Sequence, residues 1–204
     1  MIGRTSRMLD CIGLLFLFIA VSAVVNTIYQ GNLYGIFWLC YTGLFFISFD
    51  ILFIKDYLIM SQLDILAIPL FVWMIDFISF FILGYTMFGI TEYMFIPGHW
   101  LGKIIGLQHF FTIPLSLYAL GLIGIRRRGS WKISSIELTS FFIFCRLFTP
   151  QVKNINYVFR WGVSDIFPSY IYPVLWFLSF FCVILITEMI LVKLIFQNHS
   201  KKSR

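Results

Sequence analysis

Apolar residues run through this chain in long, almost uninterrupted blocks, and the few polar positions between them mark where the blocks end. Six blocks can be read: about 11–29, 33–54, 58–83, 104–125, 136–149 and 170–196. They show no strict alternation, so membrane β-strands, which alternate with a period of two, are a poor fit. A run of about 20 apolar residues is what a helix needs to cross a bilayer. The pattern therefore predicts an all-α fold, a polytopic transmembrane bundle of six spans in a single integral membrane domain. The first block follows Arg4 and Arg7 and contains Val21-Ser22-Ala23, which has the small-residue character of a signal-peptide cleavage site. The apolar run continues past Ala23 and is long enough to span, which favours a retained helix.

Two connections break the pattern. Residues 84–103 and 151–168 are rich in aromatic residues and too apolar for free loops, which predicts that they lie along the membrane interface or fold back partway. Pro69 inside the third block predicts a kink of the kind neighbouring helices tolerate.

Composition agrees with the pattern. Of 204 residues, 60% are hydrophobic and 12% charged, against about 25% charged in soluble domains. The net charge of +6 does not point to nucleic acid, because the basic residues sit in short connections and at the tail. One set of connections holds eleven Lys and Arg, the opposite set only Lys103, Lys153 and Arg160. The positive-inside rule then puts both termini in the cytoplasm, and a bacterial cytoplasmic membrane is the expected location. Cys11, Cys40, Cys145 and Cys182 lie in apolar blocks without paired spacing and read as small apolar filler.

Candidate chemistry rests on polar groups inside the spans, which are costly there and tend to face a cavity, a partner or a substrate path. The stretch Gln108–Pro114 puts Gln108, His109 and Thr112 into the fourth block. By helical rise His109 lies roughly 9 Å and Asp76 roughly 10 Å below the outer end of their spans. Thr42 lies about 13 Å down the second span, and Arg146 is within about a turn of the outer end of the fifth. These groups predict a site in the outer half of the bilayer, beneath connections that carry Glu92, Asn154 and Asn156. Asp76 could pair with Arg146 or orient the His109 imidazole. The inner half reads as poorer: Asp50, Asp56, Asp64 and Glu188 fall near the boundary, where snorkelling or Lys55 and Lys193 would satisfy them. Each group also has a purely structural reading: an Asp–Arg lock, a histidine bonding between helices, a Thr112 hydroxyl on the backbone and an Asn154/Asn156 turn. His99 and His109 have no close third ligand, so neither a metal nor a cofactor is expected.

Two resemblances follow from particular pieces. Trp73-Met74-Ile75-Asp76-Phe77, Thr91-Glu92-Tyr93-Met94-Phe95, His109 with Pro114, and Lys153–Phe159 resemble a family of small bacterial integral membrane proteins, which implies a multi-pass protein but supplies no reaction. The segment from Gln108 to Leu120 is similar to the stretch around the histidine of the androgen-induced membrane hydrolases, six-pass enzymes that cleave fatty-acid esters with a threonine and a histidine. That similarity implies His109 as base and Thr42 as nucleophile.

Three readings follow. The favoured one is a non-catalytic scaffold or lipid-binding membrane protein, its expected partners membrane lipids and a second copy of itself. The second is an intramembrane hydrolase of a lipid-like ester, with His109 as base, Thr42 as nucleophile and Asp76 orienting. In it Arg146, Asn154, Asn156, Glu92 and Gln108 would serve as binding groups, the first three holding a carboxylate or oxyanion. The third is a transporter of a small solute or of protons.

Overall fold

The computed structural model describes residues 2–125, 129–161 and 168–202, and side chains within 5–125, 129–161 and 168–193. Among the described residues the regular structure is entirely helical. The helices are α1 (Ile2–Tyr29), α2 (Leu39–Leu52), α3 (Asp56–Leu83), α4 (Trp100–Gly106), α5 (His109–Ile123), α6 (Trp131–Phe148) and α7 (Tyr172–Lys202). Short 3₁₀ turns lie at Leu33–Phe37, Glu92–Met94, Gln151–Lys153 and Ile155–Tyr157.

Four helical segments are long and apolar enough to cross a membrane: Thr5–Tyr29, Asp56–Leu83, Trp100–Ile123 and Tyr172–Lys193. Their outward faces carry large apolar side chains such as Phe18, Phe81, Ile82 and Met189. Such a surface would be untenable in water but is ordinary against lipid tails. The second block is not one long helix. Its first part winds as the 3₁₀ turn Leu33–Phe37, and α2 proper has 14 residues, about 21 Å by helical rise. The fifth block starts earlier than its apolar run suggests. Trp131–Phe148 is one 18-residue helix, because the polar residues Lys132, Ser134 and Ser135 form its first turns ahead of the apolar run.

The fourth block also differs from a single helix beginning at 104. The chain turns helical at Trp100 and changes from α4 to α5 at Leu107-Gln108, where bonds of i→i−3 type replace the i→i−4 ladder: Gln108 to Ile105 at 3.0 Å, Phe110 to Leu107 at 3.1 Å and Phe111 to Gln108 at 2.9 Å. Pro114, which has no N–H to donate to Phe110, lies one turn into α5. In α3, by contrast, Pro69 is carried inside one continuous 28-residue helix.

Small residues set the closest helix approaches, as expected where packing rather than hydrophobicity drives association. A Cβ on Gly13 would come within 2.7 Å of the Leu52 side chain, and one on Gly43 within 2.5 Å of Leu66. Ser48 donates to the Gly13 carbonyl at 2.8 Å across the α1–α2 contact. Phe16, Leu44, Ile47, Ile51, Ile59 and Leu63 fill the space between α1, α2 and α3 without exposure. The end of the bundle that carries residues 84–99 and 149–161 is called the upper end below. The end that carries residues 53–55 and 129–130 is the lower end.

The first aromatic connection folds back over α3. Phe95 stacks on Phe80 at 3.6 Å and lies 5.4 Å from Phe77. Its other large apolar side chains, Tyr85, Met87 and Ile96 among them, remain exposed.

Candidate functional site

Asp76 is fully buried on α3, yet it meets neither Arg146 nor His109. Its carboxylate accepts from the backbone N–H of Phe88 at 2.5 Å, the N–H of Thr91 at 2.7 Å and the Thr91 hydroxyl at 2.8 Å. Ser79, three residues on, accepts from Met87 N–H at 3.0 Å. Asp76 and Ser79 together satisfy the backbone of the returning connection, as buried polar groups require. The expected Asp76–Arg146 pair is thus replaced by a carboxylate–loop clasp, because the loop's free N–H groups lie closer than the guanidinium.

Arg146 donates to the Val158 carbonyl at 3.0 Å, with its guanidinium 5.1 Å from the Phe159 ring centre and 5.7 Å from that of Phe142. Such a cation over aromatic faces is favourable in a dry setting. Asn156 is buried. It accepts from Leu39 N–H at 2.8 Å, donates to the Phe37 carbonyl at 2.8 Å, and its backbone carbonyl receives the Trp176 indole at 3.1 Å. It therefore caps the start of α2 and ties α2 to α7. Asn154 accepts from Phe159 and Arg160 N–H and donates to the Arg160 carbonyl. Both asparagines have positive φ, 43° and 53°, a conformation Asn adopts more readily than most residues. The Lys153–Phe159 piece is therefore a knot at the upper end, with no amide left facing a ligand.

His109 is buried, with Nδ1 2.5 Å from the Gly106 carbonyl and 3.2 Å from Gln108 Nε2. Its ring stacks on Trp73 at 4.4 Å and 11°. Thr112 donates to the Gln108 carbonyl at 2.9 Å and also contacts the Gln108 side-chain oxygen. Thr42 lies 3.3 Å from the carbonyls of Trp38 and Leu39. No hydrogen bond joins His109 to Thr42, Thr112 or Asp76 among the described residues, so a nucleophile–base–orienter set is not assembled. Glu92 sits exposed on its 3₁₀ turn.

The structure instead opens a cavity of about 280 Å³ at the upper end. One wall is the last turn of α1 and the turn beyond it, with Asn26, Thr27, Gln30 and Asn32. The opposite wall is the Ile96–Lys103 segment, and Trp38, Tyr41 and Tyr93 close the floor. None of the eight site residues expected from sequence lines it. Gln30 donates to Asn26 across one helical turn at 2.9 Å, while the Asn32 side-chain carbonyl is buried without a donor. Gly102 makes the opening possible: a Cβ there would lie 3.3 Å from the Asn26 amide nitrogen. Lys103 turns its ammonium toward the Ile96 carbonyl. Tyr93 buries its hydroxyl end, which lies 2.9 Å from where a Gly106 Cβ would stand. Burial pushes its phenol up, with Cys40 adding to the effect and Trp73 opposing it, so it works as a neutral hydroxyl.

His109 thus belongs to the support of this cavity. The stack runs from His109 to Trp73, and Trp73 reaches the Tyr93 hydroxyl that forms part of the floor. The sequence did carry a signal for the cavity wall. Asn26, Gln30 and Asn32 are three carboxamides at the end of the first block, although carboxamides at a helix end are common enough to look like simple termination.

A second polar group lies toward the lower end. Ser130 Oγ is 2.8 Å from Asp64 Oδ2 and also touches Glu188 Oε2. Ser134 approaches Asp64 Oδ2 at 3.0 Å, and Gly129 N–H donates to Glu188 Oε1 at 2.8 Å. Gln62 donates to Glu137 at 2.7 Å. Asp64 and Glu188 are therefore not satisfied by Lys55 and Lys193: among the described residues no ion pair reaches either. Helix packing carries them inward to face serines. No group of three or more metal-ligating side chains occurs among the described residues.

Compared with models of known families, with curated proteins and with solved structures, the chain matches none.

Proposed function

We propose that this chain is a six-span protein of the bacterial cytoplasmic membrane, with both termini in the cytoplasm, that binds the polar head of a lipid-like molecule without altering it. The carrying observation is the upper cavity. Its lining of carboxamides, hydroxyls, an imidazole and an indole, with the Lys103 ammonium turned to the Ile96 carbonyl and one acceptor that lacks a donor, suits a neutral, hydroxyl- or amide-bearing group. Its volume, about 280 Å³, is at the low end for small-molecule sites and fits a head group rather than a whole lipid. The apolar helix surfaces beside it suit an acyl chain.

The six-span reading is supported by length. The 3₁₀ turn at 33–37 adds about 10 Å to α2, bringing that limb to roughly the 30 Å of a bilayer core. The 18 residues of α6 give about 27 Å; Glu137 and Arg146 are held by Gln62 and Val158, and the exposed Lys132 lies in its first turn. The basic connections then lie on the lower side, which the positive-inside rule assigns to the cytoplasm.

The test is the lipid that travels with the protein. Protein purified in mild detergent retains a stoichiometric amphiphile by native mass spectrometry, and Gly102→Trp and Asn26→Leu reduce it by about tenfold or more, the equivalent of about 1.4 kcal/mol. Equal retention by the variants and the parent protein refutes the reading. His109→Ala in the same assay separates binding from hydrolysis: ester turnover that disappears with His109 would establish an enzyme instead.

A further inference from the structure

We propose that Asp64, Ser130 and Glu188 form a proton-binding relay, with one proton resident on Asp64 and the Ser130 hydroxyl as its path to Glu188. This is independent of the cavity reading and concerns the other end of the bundle.

The argument is a count of protons. A serine hydroxyl has one proton to donate, yet Ser130 Oγ contacts a carboxyl oxygen of each acid, Asp64 Oδ2 at 2.8 Å and Glu188 Oε2. If both acids were ionised, one contact would set lone pairs against a carboxylate oxygen. A proton on Asp64 Oδ2 resolves this: Asp64 donates to Ser130 Oγ, and Ser130 donates to Glu188. Glu188 then keeps the negative charge, where Gly129 N–H supports its second oxygen at 2.8 Å.

The other Asp64 oxygen points the same way. Asp64 is fully buried, and its Oδ1 has no hydrogen-bond partner. A buried carboxylate oxygen left bare is strongly disfavoured, whereas the carbonyl oxygen of a neutral acid is far easier to leave unpaired. The surroundings supply no compensating cation among the described residues. Of the groups on helices packed against α3, Glu137 on α6 is held by Gln62, and Asp50 on α2 has a buried oxygen without a partner. From α5 come His109, engaged with Gly106, and the exposed Tyr118; the α6 cations are an exposed Lys132 and an Arg146 held by Val158. Ser61 and Ser134 add hydroxyls 3.2 Å apart beside Asp64.

Transfer is balanced and needs no other reactant. The Asp64 proton moves to Ser130 Oγ as the Ser130 proton moves to Glu188 Oε2, leaving Asp64 ionised, Glu188 neutral and the total charge unchanged. Because Glu188 also holds Gly129, and Tyr57 donates to the Gly129 carbonyl at 2.6 Å, the proton's position bears on how the α5–α6 connection is held.

Infrared difference spectroscopy of the purified full-length protein tests this. At neutral pH a protonated-carboxyl band sensitive to deuterium exchange is expected, shifted by ¹³C-aspartate labelling and removed by Asp64→Asn. Glu188→Gln, which removes the facing charge, should make the band titrate away at lower pH. Isotope labelling reads the unmutated protein, so the result stands even if a variant fails to fold. Absence of the band at neutral pH, its insensitivity to aspartate labelling, or its persistence in Asp64→Asn overturns the proposal. So does its loss on adding sodium at constant pH, which would make a metal ion the occupant.

Discussion

Asp76 and Asp64 sit on the same helix, one turned to the upper end and one to the lower, and both are fully buried. Asp76 has three donors from a single returning loop. Asp64 has only hydroxyls, one of them shared with a second acid, and an oxygen with no partner. The first environment spends the carboxyl group on holding a loop, a structural task. The second offers too few donors for a charge and resembles a place where a proton is kept. An acidic residue in an apolar span therefore says little until its donors are known.

Four tests, in falling order of effect, probe that contrast and the packing around it. Asp76→Ala leaves three donors unmet, the two on Thr91 buried, and at about 1.5 kcal/mol for each hydrogen bond to a charged group a loss of about 4.5 kcal/mol is expected. Thermal unfolding in detergent reads it, and a loss no larger than that of a surface alanine would show the clasp to be unimportant. Next comes Asn156→Ala, which removes the acceptor for Leu39 and the donor to Phe37 and places alanine at positive φ. About 3 kcal/mol should be lost, with faster hydrogen exchange at the start of α2 as the local sign. Gly43→Val forces a Cβ against Leu66 and should cost about 2 kcal/mol by overpacking. Pairing it with Leu66→Ala ought to recover part of that loss, and no recovery would place the strain elsewhere. The smallest effect is the sharpest comparison: Asp64→Asn replaces a neutral acid by its neutral isostere and should stay within about 1 kcal/mol of the parent. Asp76→Asn, losing a charge its three donors require, should cost about 2 kcal/mol. Equal costs for the two asparagines would erase the distinction.

The site was less legible than the class. His109, Gln108 and Thr112 stand out in an apolar run, and the eye assigns them a ligand. Their partners are one turn away, at Gly106 and Gln108 itself, so they close a local change of helix type. Asn154 holds only Phe159 and Arg160, a few residues on, whereas Asn156 looks like a binding amide because the groups it holds are distant in sequence. Leu39, which Asn156 caps, is 117 residues away. The cavity was hidden for the opposite reason: Asn26, Gln30 and Asn32 end a helix in an ordinary way, and only the return of the 96–103 segment turns them into a wall.

The sequence by itself determined that this is a helical membrane protein, because long apolar runs with few charges have one stable solution in lipid, a helix that bonds its own backbone. Its two aromatic connections pointed to segments that lie along the interface or fold back partway, and the first does fold back, with Phe95 on Phe80. Tertiary structure decided which polar groups are consumed and which are left over. That depends on donors and acceptors brought together from distant segments. Asp76 found the N–H groups of a loop and Asp64 found another acid, although each is simply an aspartate on an apolar helix.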